Sequence, residues 1–274
     1  MAQRRRRRQD PAIDTPRHET SPPPLGGRFR PLSAPQCQEI QDAAFAILGR
    51  IGVADCPATL REAAIAAGAR FRDDGRLTFP RAMVEDAISR AASRVALPGF
   101  EAHHGLEVGG GRVHIGTGGA AVQFLDAASL RFRDSSLADL YRLMRIVELS
   151  EHIHYGVRPV VARDMPTPRE LDINTAFACL KACAKPIGVS FDSAVHVKPV
   201  TRLFDMALGA EGAFRTQPFC FAVVIHVVSP LRYAGEGTAV MEAAIRAGMP
   251  LQICSAAQAG ATSPVTLAGA LAQG

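Results

Sequence analysis

The residues best placed to do chemistry in this 274-residue chain follow short apolar runs in its second half. Asp164 comes after Val157 to Ala162, and Asp192 after Pro186 to Ser190. His226 interrupts the run Phe221 to Val228, and Gln258 follows Leu251 to Cys254. If each run is a strand of one parallel sheet, these four residues gather at its carboxyl ends, beside Arg163, Ser190, Ser229 and Thr262. Two carboxylates on adjacent strand ends suit a cationic ligand, although each could equally cap a helix or pair with an arginine. His226 would point into the mouth of the fold or be hydrogen-bonded within its core. Asp164, Asp192, His226 and Gln258 are the candidate substrate-binding residues.

Other constellations carry less. His152 and His154 could share one face of a strand, and His103 and His104 are adjacent, but neither pair has a third ligand at a metal-binding spacing, so no metal site is expected. Cys179 and Cys183, four residues apart, read as a buried apolar stripe on one helix face. Gly116-Thr117-Gly118-Gly119 lacks the dinucleotide spacing and no helix follows it, so it reads as a tight structural turn. No Ser-His-Asp or Cys-His nucleophilic arrangement is supported, and no catalytic residue is assigned.

The elements that must position these residues are spelled by an alternation. Helical periodicity over Ser136 to Leu149, Arg169 to Ala184, Val197 to Leu208 and Gly237 to Ala247 leads each time into a short apolar run. The runs begin at Val157, Pro186, Phe219 and Leu251, spaced by 29, 33 and 32 residues. Such a beat predicts a parallel sheet with right-handed crossovers. A closed eight-fold barrel is preferred over an open doubly wound sheet, because no Gly-x-Gly-x-x-Gly follows any strand. Only four units are present, and Ser263-Pro264 reads as the cap and first residue of one more helix. The expected fold class is therefore α/β, a partial (β/α)8 TIM-type barrel of about four units, forming the N-terminal portion of a larger enzyme.

The first half reads differently. Residues 1–31, with Arg4 to Arg8 and six prolines, are expected to be a disordered Arg/Pro-rich leader. Residues 32–135 should form a helical and β-hairpin region: a helix capped at Ser33 and ended by Gly52, a second from Ala58 to Ala67, a hairpin turning at Asp73-Asp74-Gly75, and a helix from Pro80 to Ser93. Period-two patterning around Leu106, Val108, Val113, Ile115 and Val122 to Asp126 then predicts short antiparallel strands separated by glycine turns. Residues 136–274 form the incomplete barrel, cut in its last helix.

Composition narrows the function class. The chain is 47% hydrophobic and 21% charged, which excludes a collagenous, coiled-coil or wholly disordered protein. The net charge of +5 resides in residues 1–30, where eight arginines face Asp10, Asp14 and Glu19. The body carries 23 basic and 23 acidic residues and is neutral, so no specific nucleic-acid partner is implied. Six scattered cysteines fit a reducing compartment, and no run suits a membrane span or signal peptide. A cytoplasmic protein is expected.

Several motifs resemble the trimethylamine methyltransferase family. They are Gly116 to Ala121 with Leu125-Asp126, Leu137-Ala138-Asp139-Leu140, Ile153-His154, Arg158 to Ala162, Lys185-Pro186-Ile187, Ser229-Pro230-Leu231 and, most specific, Ala259 to Gln273. The resemblance implies a (β/α)8 barrel that presents a methylated amine, trimethylamine or a quaternary amine such as glycine betaine, to a cognate corrinoid protein. Co(I) on that partner attacks the N-methyl carbon, giving methylcobalamin and the demethylated amine. The corrinoid (cobalamin) is carried by the partner, and this chain binds no cofactor tightly. Some archaeal members carry pyrrolysine, at a position farther along than this chain reaches. With Tyr141, Tyr155 and Tyr233 and no Trp, an aromatic cage for the cation would draw on residues beyond this chain. Other readings stay open: a different barrel lyase or transferase, or a truncated, inactive product. A homo-oligomer is expected to cover apolar faces left by half a barrel.

Overall fold

The computed structural model describes residues 25–27 and 29–274. Most of the expected leader, including the Arg4 to Arg8 run, lies outside the described residues.

The first element is α1, Ala34–Ala46, whose start is a reciprocal cap: the Gln36 amide donates to Ser33 Oγ, and the Ser33 amide donates to Gln36 Oε1 at 2.9 Å. Its last turn widens into a π-turn over Ile47–Ile51 and stops at Gly52, whose φ of 71° and contact with the Leu77 carbonyl exclude a side chain. Helix α2, Ala58–Ala66, precedes a hairpin of β1, Arg70–Phe71, and β2, Leu77–Thr78, turned at Asp73-Asp74-Gly75 as expected. Helix α3 spans Arg81–Arg90, ending before Ser93. Leu77, fully buried, anchors this small layer with Ala64 and Ala69.

The strands that follow pair otherwise than the glycines suggested. β3, Arg94–Leu97, pairs antiparallel with β4, Leu106–Gly109, across a short 3-10 turn at Ala102–His104. Val113 to Ile115 forms no strand, because the partner of β4 comes before it in the chain rather than after the glycine turn. β5, Gln123–Asp126, pairs with β6, Arg131–Asp134.

The second half alternates as its sequence predicts. Helix α4, Leu137–Leu149, precedes β7, Gly156–Val157; α5, Pro168–Ala182, precedes β8, Ile187–Val189. Helix α6, Val197–Leu208, and the short α7, Ala213–Thr216, precede β9, Cys220–Val224. A small hairpin of β10, Val227–Val228, and β11, Arg232–Tyr233, intervenes before α8, Gly235–Ala247, and β12, Leu251–Ile253. Phe221 to Val228 is thus two strands rather than one, because the chain leaves the sheet after Val224.

β7, β8, β9 and β12 form one parallel sheet in chain order, paired Val157↔Gly188, Gly188↔Phe221 and Ala222↔Leu251. The molecule is mixed α/β, and no closed barrel is present among the described residues. Alternation assigns the faces. Ile187, Val189, Cys220, Ala222 and Val224 pack under α4, α5, α6 and α8 with Phe204, Phe214 and Phe219. Val157, Gly188 and Phe221 share the opposite face, where a methyl group at Gly188 would lie 2.5 Å from the Phe221 ring.

The free edge of β7 is partly covered. Residues 116–121 run parallel beside it, with bridges Gly116↔Tyr155 and Ala121↔Val160, and the amides of Ala120 and Ala121 donate to Arg158 O and Pro159 O at 3.0 Å. The Gly-Thr-Gly-Gly segment is therefore an edge lining and not the tight turn expected. Gly116 is required because a Cβ there would fall within the Tyr155 ring. The last helix, α9, Leu267–Gln273, begins four residues after the expected cap: Thr266, not Ser263, accepts from the Gly269 amide at 3.1 Å.

Candidate functional site

The carboxyl end of the sheet is built from the segments that follow its four strands. After β7 the chain passes Arg163 and Asp164. The exposed Asp164 accepts the Leu137 amide at 2.9 Å, so it holds the start of α4. After β8, the Asp192 amide donates to Asp172 Oδ2 at 2.9 Å, while the exposed Asp192 carboxylate has no hydrogen bond or ion pair among the described residues. After β9 comes His226, half-buried, its ring 6.3 Å from that of Tyr233. Burial lowers its pKa, and its buried Nδ1 has no hydrogen-bond partner among the described residues. The same desolvation pushes Tyr233 up to about 12. After β12, the Gln258 carbonyl accepts the amides of Ala261, Thr262 and Ser263, while Thr262 Oγ1 accepts the Gln258 amide at 2.9 Å and donates to Ala256 O. Beside this exposed loop is a shallow, largely apolar hollow lined by Ala257, Ala259, Leu267 and Leu271.

The four candidates thus follow neighbouring strands, but no hydrogen bond or ion pair joins any two of them among the described residues. The N-terminal layer docks at the same end. The amide of Ala54 donates to Leu231 O and its carbonyl accepts from Tyr233, both at 2.9 Å, and Arg232 pairs with Asp55.

Beneath the β8 loop sits a polar cluster not anticipated from the sequence. Asp172, on the buried face of α5, accepts His196 Nδ1 at 2.7 Å as well as the Asp192 amide. Desolvation raises the Asp172 pKa, opposed by the bond to His196. The half-buried Arg158 faces Asp172 and Asp192 electrostatically, and its pKa is lowered by burial; its Nε and Nη1, Asp172 Oδ1 and Thr175 Oγ1 have no hydrogen-bond partner among the described residues. The local signals were faint. Arg158 interrupts the run Val157 to Ala162, as His226 interrupts its own, and Asp172 and Thr175 share one face of a helix that is otherwise apolar on that side.

The remaining sequence candidates divide. Cys179 and Cys183 are buried and free, their thiols pushed up to about 12 by desolvation. They are inert core groups. His154 Nδ1 accepts the Ile115 amide at 2.9 Å, which orients its ring for the edge lining. His103 and His104 do acquire the third ligand type that the sequence did not reveal. Glu101, His103 and His104 each offer one ligand atom, and these lie within 4.8 Å of one another.

Among the described residues, no helix is long and apolar enough to cross a membrane. The family described as Trimethylamine methyltransferase (MTTB) matches residues 2–274. A trimethylamine methyltransferase of Desulfitobacterium hafniense is 28% identical over 193 residues, covering 70% of this chain and 38% of the relative. One from Methanosarcina mazei is 28% identical over 203 residues, covering 70% and 40%, and one from Methanosarcina thermophila is 28% identical over 205 residues, covering 70% and 41%. The chain spans about two fifths of the length of these curated relatives.

Proposed function

Because the chain belongs to the trimethylamine methyltransferase family, we propose that it serves methyl transfer from a methylated amine to a cognate corrinoid protein. The match over residues 2–274 carries this reading. We read the four parallel strands, adjacent in space in the order of the chain, as part of a (β/α)8 barrel whose carboxyl rim takes the amine. Trimethylamine and a quaternary amine such as glycine betaine are the substrates considered. The protein acts in the cytoplasm and self-associates through apolar faces such as the edge at Ile253, 54% exposed.

The corrinoid arrives on the partner and supplies a cobalt nucleophile. This chain is asked for an accessible rim, not for a metal ligand there. A quaternary nitrogen already carries the charge that makes it a leaving group, so the rim has to place one methyl group and exclude water. Asp192 is suited to the cation: its backbone is fixed by Asp172, and its exposed carboxylate, which also feels the charge of Arg158, accepts no hydrogen bond among the described residues. Asp164 contributes negative charge while tied to α4. His226 stays neutral near pH 7 because burial lowers its pKa, so it does not repel a cation. Gln258 organises the loop after β12 through its backbone, leaving its side chain exposed.

Isothermal titration with tetramethylammonium chloride tests the rim. The chain should bind it, and Asp192→Asn should weaken binding about fivefold, the size of one partly exposed charge pair. Equal affinity in the variant would remove Asp192 from the site.

A further inference from the structure

We propose that the turn Glu101 to His104 is a zinc site that staples the N-terminal region to the amino-terminal end of the parallel sheet. Glu101, His103 and His104 bring one ligand atom each to within 4.8 Å of the others. Glu101 Oε2 is 3.6 Å from His103 Nδ1, and the two imidazole rings lie with centroids 3.9 Å apart. Behind His104 lies Glu148, near the end of α4, its Oε1 3.7 Å from His104 Nε2. In a tetrahedral zinc site with bonds of about 2.0–2.1 Å, neighbouring ligand atoms are roughly 3.3–3.4 Å apart; the Glu101–His103 pair, at 3.6 Å, is close to that spacing, and the wider pairs, within 4.8 Å, close by rotation of the exposed Glu101 and His103 side chains.

The turn is held in place before any ion binds. Gln217 Nε2 donates to Gly99 O and Phe100 O at 3.0 and 2.9 Å, and the Glu101 amide donates to Ala184 O. The Phe100 ring packs edge-on against Phe219 at 5.2 Å, and Gly99 has no room for a Cβ against His104 and the Ala184 carbonyl. Glu148 is fixed in turn by the Ala184 amide, which its Oε2 accepts at 2.9 Å. It orients His104, as carboxylates behind metal-bound histidines do. Burial and the adjacent His103 lower the pKa of His104, which favours the neutral, ligating ring. The nearby Lys185 ammonium is committed to three carbonyls, those of Val147, Ser150 and Ile153. Two imidazoles with carboxylates select zinc over calcium or magnesium, which take oxygen ligands. The site lies at the end of the sheet opposite the substrate rim, where a bound ion stabilises structure rather than taking part in the reaction.

Chelator-stripped chain is titrated with zinc chloride by calorimetry, with bound metal counted by mass spectrometry and unfolding followed by circular dichroism. The expected result is one zinc per chain and, at about a hundredfold excess over Kd, an unfolding midpoint raised by roughly 5–10 °C. Glu101→Gln and the double variant His103→Ala/His104→Ala should keep the parent spectrum and lose zinc affinity at least tenfold and a hundredfold, respectively. Failure of the folded parent to take up zinc, unchanged uptake by the folded variants, or equal uptake of magnesium chloride would overturn the assignment.

Discussion

Asp139 sits in the first turn of α4 almost without exposure, its carboxylate bound by both terminal nitrogens of Arg133, at 2.6 and 2.8 Å, and by the amide and hydroxyl of Ser136. The Arg133 guanidinium beside it, with the Ser136 bonds, holds its pKa well below the usual carboxylate range. A carboxyl depressed in the folded state stabilises the fold fully above its unfolded value, about 4, and that contribution is lost as pH falls toward the folded value. Asp139→Asn should cost about 3 kcal/mol in urea unfolding at pH 7, and the variant should lose less stability than the parent between pH 5 and 3. An unchanged urea midpoint at pH 7 would show that the pair is energetically neutral. Residues of this kind are legible when their partner is close in sequence. The caps at Ser33 and Ser136 join positions three apart, within one turn. Asp172 and His196 are 24 residues apart, and His104 meets Glu101 within one turn but Glu148 only across the fold. The first pair and the Glu148 contact depend on packing, which no local pattern encodes.

At the scale of elements, the βα beat was readable because β7, β8 and β9 are buried apolar runs and α4 and α6 each show a clear apolar stripe. The start of α6 and the Gly248 stop of α8 fall where periodicity places them. The glycine-rich stretches were not readable, since glycine marks both turns and close approaches. Gly116 serves the second purpose against Tyr155, and Gly188 against Phe221 and Val157. Gly188→Ala should therefore cost roughly 1–3 kcal/mol from overpacking, and Phe221→Leu in the same chain should recover part of it. Additive losses in the double variant, measured by denaturant unfolding, would place the contact elsewhere. The helix expected to be capped at Ser263 is capped instead at Thr266, because residues 258–263 fold into a loop around the Gln258 carbonyl.

For the whole molecule, the two ends of the parallel sheet carry different tasks. Its amino end holds the Lys185 ammonium under the carboxyl end of α4 and the Glu101 to His104 turn, both of which tie elements together. Its carboxyl end carries the exposed Asp192 carboxylate and the buried His226 Nδ1, neither hydrogen-bonded among the described residues, beside a docked N-terminal layer. Under the proposed function, a site that admits a substrate and then a second protein needs an accessible carboxylate such as Asp192 on a rigid base. The most direct measurement is a single-turnover assay in which the folded chain is mixed with trimethylamine or glycine betaine and a Co(I) corrinoid protein, and the demethylated amine is followed by proton NMR. Formation of dimethylamine or dimethylglycine, reduced at least fivefold by Asp192→Asn, is the predicted result. The absence of either product from a natively folded chain would contradict the proposal that this chain serves methyl transfer.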